Sequence, residues 1–151
     1  VPRTRAGTQE DTEVGNLNYV AVLVAATVSF VFGGIWYNVF AKQWLEAVGR
    51  LRSPTQEKGG IGFYLLAFGA QLIMAWMLAG VMLHLSLGGM ILGFRSGVIA
   101  GMLMWLGFVI TTMVVNYNFH GARQALTLID GGHWLGVLIL QGAILGMWGV
   151  R

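Results

Sequence analysis

Four long apolar stretches of the chain, Leu17–Ala41, about Ile61–Leu83, about Gly93 or Gly97 to Phe119 and Gly131–Val150, carry no charged residue but Arg95 at the start of the third. None alternates apolar and polar positions as a barrel strand does. The first is long enough, at ~1.5 Å per residue, to make a helix of ~37 Å, which crosses a ~30 Å hydrocarbon layer with some tilt. Inside hydrocarbon every backbone polar group must be paired within its own segment, so each stretch predicts a helix. The expected fold is an all-α bundle of four transmembrane helices at 17–41, 61–83, 93–119 and 131–150. Together they make one membrane domain, 17–151, preceded by a polar, aperiodic tail, 1–16, expected to be disordered.

The polar residues between these stretches predict connections. Residues 42–60 begin with KQWLEAVGRLR, which fits a short amphipathic turn at the interface with Trp44, Leu45 and Val48 toward the bilayer. Ser53-Pro54 then breaks it. HLSLGGMILGFR joins the second and third helices, and HGARQALTLID the third and fourth.

Composition narrows the class. Of the 151 residues 56% are apolar and 10% charged, too few charges to coat a soluble domain of this size and too much apolar surface for a disordered chain. There is no cysteine, which excludes disulfides, thiol chemistry and cysteine-held metal clusters. Lys42, Arg50, Arg52, Lys58 and Arg123 fall in the connections after helices one and three, while Arg3, Arg5, Arg95 and Arg151 fall on the other side. Arg3 and Arg5 are remote from helix one and followed by three acids. The distribution places the two connections in the cytoplasm and both termini outside the inner (plasma) membrane.

Small residues recur every four positions in each helix. Helix one has Ala21, Ala25, Ser29 and Gly33, and helix two Ala67, Gln71, Ala75 and Ala79. Helix three has Gly89, Gly93, Gly97 and Gly101, and helix four Gly132/Gly136 and Gly142/Gly146. Lipid is as apolar as leucine, so helices associate through close backbone approach and polar contacts, and such rows predict tight packing within the bundle or between protomers. Ser29, Gln71 and Gln141 lie near the middle of their segments. An unpaired amide in hydrocarbon is costly, so both glutamines are expected to face protein as interhelical glue. The alternative is a midplane polar site in a transport path.

Chain direction gathers a second group at one membrane face: Trp36, Tyr37, Asn116, Tyr117, His120, Arg123, Asp130 and His133. Asp130 and His133 are three apart and share a helix face. One reading is an aromatic belt with Asp130 as the cap of helix four; the other is a polar pocket open to the cytoplasm. The spacings match no metal-ligand motif, and no Ser-His-Asp, HExxH or phosphate-loop pattern occurs. His84 and His133 fall at opposite faces, which argues against a haem held between them. No cofactor, metal or nucleic acid is expected.

GGIWYNVFAKQW (33–44), WLGFV (105–109) and NYNFHGARQALTLIDGGHWLGVLILQGAILGMW (116–148) resemble the conserved blocks of the domain of unknown function 1761 family, with Asn38 standing where that family leads one to expect Ser. The resemblance runs from about Asn16 onward and implies a small, mostly bacterial, four-helix integral membrane protein, with no catalytic or binding residue to carry over. Function is therefore expected to be non-enzymatic: an accessory, assembly or small-ligand-binding membrane protein, in contact with lipid and with a second copy or another membrane protein. A small oligomeric transporter or channel is the alternative. An Asp130 at the end of a helix, with no other carboxylate in the spans, argues against proton-coupled export.

Overall fold

A computed structural model describes residues 17–49 and 60–151. The expected tail at 1–16 and the Ser53-Pro54 break lie outside the described residues. The chain is all-α: α1 (Tyr19–Val39), α2 (Ala41–Val48), α3 (Ile61–Leu87), α4 (Phe94–Phe119) and α5 (Gln124–Trp148). Every one of α1, α3, α4 and α5 is long and apolar enough to cross a membrane.

The uncharged runs locate the spans, but the helices keep their own ends. α1 stops at Val39, and Ala41, expected within it, opens α2. α3 continues to Leu87, past His84, whose Nδ1 lies 2.8 Å from the Gly80 carbonyl one turn back. The largest correction is at α5. It begins at Gln124, not Gly131, because Gln124-Ala125-Leu126 are good helix formers and a helix can extend beyond the hydrocarbon. Gly121, at φ +66°, turns the chain between α4 and α5. Gly89, at φ +95°, lies in the turn after α3 and not in the glycine row of α4.

α5 sits at the centre. It packs along α1 and α4, while α3 packs mainly on α1 and touches α5 more lightly. Half of its apolar span is buried, against 11% for α4. α4 and α5 meet through glycine: a Cβ built on Gly97 would strike the Gly142 carbonyl, and one on Gly101 the Leu138 carbonyl. Gly142 and Gly146 stand equally close to the carbonyls of Gly97 and Gly93. The four-residue spacing thus forms two facing grooves in which backbones touch. The other glycine pair of α5 works differently: Gly132 and Gly136 make room for the rings of Trp36 and Phe32 of α1.

α1 and α5 run antiparallel in a steady register. Asn18 N–H donates to the Val150 carbonyl at one end, Ser29 meets Gln141, Gly33 meets His133, and Tyr37 meets Asp130 at the other. Ala21, Ala25 and Ala26 of α1, with Ala75, Ala79 and Met82 of α3 and Leu145 of α5, fill the half of the core nearest Asn18 and Val150.

Candidate functional site

The two polar groups anticipated from the sequence become two knots on this shared interface. At mid-depth the Ser29 hydroxyl donates to Gln71 Oε1 at 2.6 Å. Gln141 Nε2 donates to Ser29 Oγ at 3.0 Å and to the Gln71 backbone carbonyl at 3.1 Å. α1, α3 and α5 each contribute one side chain, and all three are buried.

The second knot centres on Asp130. It is not a helix cap: it lies in the second turn of α5, ~9 Å along the axis from Gln124, and is 8% exposed. Its Oδ1 accepts from the Tyr37 hydroxyl at 2.9 Å and from the Trp44 indole N–H at 3.1 Å, and its Oδ2 accepts from the Tyr117 hydroxyl at 2.9 Å. One carboxyl therefore gathers one donor from each of α1, α2 and α4. Hydrogen bonds to a carboxylate are among the stronger ones, and three of them satisfy most of its acceptor sites.

Two further indoles brace this region of α5. Trp36 Nε1 donates to the Ile129 carbonyl at 3.1 Å and Trp105 Nε1 to the Gly131 carbonyl at 2.8 Å. Trp105 opens a wider π turn over Trp105–Val109, closed by the Ile110 N–H on the Trp105 carbonyl. Such turns rotate the residues that follow and are frequent at functional places. This one coincides with the WLGFV block.

His133, one turn beyond Asp130, is 4% exposed and enclosed by rings: Tyr37 and Trp134 at 4.8 Å between centroids, and Phe32 parallel to it at 6.2 Å.

Of the eight residues expected at this face, the structure brings Trp36, Tyr37, Tyr117, Asp130 and His133 together. Asn116 and His120 are exposed and stay out. Arg123 is exposed too and reaches the Glu46 carbonyl at 3.0 Å, tying the start of α5 to α2. Trp44, expected against the bilayer with Leu45 and Val48, turns inward instead, leaving Leu45 outside. An indole N–H in apolar surroundings seeks an acceptor, and Asp130 is the one in reach. The signal was present in the sequence as a tryptophan in a short amphipathic helix, but a partner 86 positions away was not readable.

The polar face is closed by these bonds and by ring packing rather than open as a pocket. An apolar groove of about 470 Å³ lies near the opposite end, lined by Leu17, Trp76, Gly80 and His84 among others. Among the described residues no cluster of three His, Asp or Glu side chains could hold a metal.

An all-α chain with four apolar helices of spanning length, joined by polar knots and glycine contacts, has the build of a multi-pass membrane protein. Residues 20–146 match the family model described as protein of unknown function (DUF1761), so the chain belongs to that family. No curated protein and no solved structure matches it.

Proposed function

We propose that the protein is a non-enzymatic accessory protein of the inner membrane that associates through α4, with a second copy as its first partner. The observation behind this reading is the lopsided burial of α4. Only its glycine edge, Gly97, Ala100 and Gly101, is buried, and Leu103, Leu106 and Phe108 on its remaining surface are exposed. The side chains of Asp130, Ser29, Gln71 and Gln141 are taken up in joining helices to one another. The distribution of Lys and Arg supports an orientation with α2 and the α4–α5 turn in the cytoplasm.

The cysteine-free chain makes this testable. Single cysteines at Leu106 and Phe108 should cross-link in native membranes to a discrete species of twice the monomer mass. Cysteines at Leu65 and Ile73, equally exposed on α3, should not. Equal cross-linking from both helices, or none from α4, removes the basis of the proposal.

A further inference from the structure

The groove of about 470 Å³ follows the seam of α1 and α3, and Trp76 divides it from a second hollow of about 240 Å³ deeper in the same seam. α3 lines the two with Leu72, Trp76, Gly80 and His84, four residues apart and therefore on one face; Leu17 and Val22 come from the α1 side. Gly80 is the floor. A Cβ built there meets nothing within 4 Å, whereas one on Gly97 or Gly101 strikes backbone. This glycine leaves room that no part of the described chain fills.

The two hollows together have the depth of one lipid leaflet. Leu72 follows Gln71, the mid-depth residue, and His84 lies ~18 Å further along α3. Half of a ~30 Å hydrocarbon layer is ~15 Å, so His84 stands at headgroup level. The mouth there is basic. The Asn18 N–H donates to the Val150 carbonyl at 2.9 Å, which sets Arg151 beside Leu17 at the rim. Among the described residues the charged side chains at this end are Arg95 and Arg151, both exposed. His84 Nδ1 is 2.8 Å from the Gly80 carbonyl, which can only accept, so Nδ1 carries a proton and Nε2 is left for an outside partner. The adjoining sequence TQEDTEVGN has a single apolar side chain, Val14, and does not match the lining.

We propose that this seam is a binding site for an anionic phospholipid, one acyl chain lying along α3 from His84 across Gly80 and past the Trp76 ring to Leu72, with the phosphate held at Arg151 and His84. The surrounding lipid is as apolar as the groove, so leaving water is not what selects this chain. A hollow lacks partner atoms on one side, and an extended chain of methylenes restores those dispersion contacts along its whole length. The phosphate adds charge-assisted hydrogen bonds at the mouth. The site does not depend on what α4 associates with.

The test places the full-length chain in phosphatidylcholine vesicles containing phosphatidylglycerol with a photoactivatable diazirine on its acyl chain. Illumination should label Trp76, Met77 and Gly80 well above Leu23, which is half-exposed on α1 and level with Met77 by the Ser29–Gln71 pairing. Gly80→Leu fills the groove without striking a neighbour at its Cβ, so it should bring groove labelling down to that of Leu23 at an unchanged unfolding temperature. Arg151→Gln, far from the core, should cut labelling by phosphatidylglycerol about fivefold, the worth of one cation at a membrane surface. The same diazirine carried on phosphatidylcholine should label the groove about fivefold less than on phosphatidylglycerol. Equal labelling of the groove and Leu23 in the wild type means ordinary bulk lipid and overturns the proposal. So does labelling that survives both substitutions, or that does not distinguish the two lipids.

Discussion

Asp130 accepts from three neutral donors, and the geometry distinguishes its two oxygens. Oδ1 takes Tyr37 and Trp44, and Oδ2 takes Tyr117 alone. A tyrosine hydroxyl can reverse its role and accept, whereas an indole N–H can only donate. Asp130→Asn can therefore keep its oxygen toward Trp44 and turn its amide toward Tyr117, retaining all three contacts. Asp130→Leu strands three donors, at ~1–3 kcal/mol for each that finds no water. Thermal unfolding in detergent should place Asn close to wild type and Leu well below both. If Leu unfolds with wild type, the carboxyl holds nothing together. At this scale the sequence was partly legible. One-sided clustering of Tyr37, Tyr117, Asp130 and His133 followed from alternating chain direction. The exclusion of Asn116 did not, because one position along a helix turns a side chain by ~100° and moves it from interior to lipid.

Glycines look alike in a sequence and differ sharply in a helix pair. Gly97 faces backbone, where no rotamer change can relieve an added methyl, whereas a Cβ on Gly69 of α3 meets nothing within 4 Å. Gly97→Ala should force α4 from α5 and cost at least the ~1–3 kcal/mol of ordinary overpacking. Gly69→Ala should be neutral or, by helix propensity, stabilising by up to ~1 kcal/mol. Steric-trap or thermal unfolding of both variants checks the contrast, and equal stability would contradict the glycine seat. The four-residue rows were readable; which row meets backbone and which meets a ring was not, since Gly132 and Gly136 differ from Gly142 and Gly146 only in what α1 and α4 bring to them. The same limit hid the start of α5. Absence of charge marks where hydrocarbon lies, and Gln124–Asp130 is helix outside that criterion.

Across the whole molecule, the placement of four spans follows from composition and run length alone, while the order in which they pack follows from side chains far apart in sequence. Ser29 and Gln141, 112 positions apart, set the depth of α1 against α5. The proposed orientation adds a prediction at this scale. With Ile91→Cys in the α3–α4 turn and His120→Cys in the α4–α5 turn, an impermeant maleimide on intact cells should label the first and reach the second only after the membrane is opened. The reverse pattern inverts the orientation, and labelling of both from one side is incompatible with α4 as a span.

The central helix of this bundle is also the last of the five to be synthesised. Until α5 leaves the ribosome, Tyr37, Trp44 and Tyr117 lack their shared acceptor and Gly97 has nothing to rest against. The earlier segments therefore wait in the bilayer, or beside the insertion machinery, as loosely associated pieces, and the arrival of α5 is what locks them into a single unit.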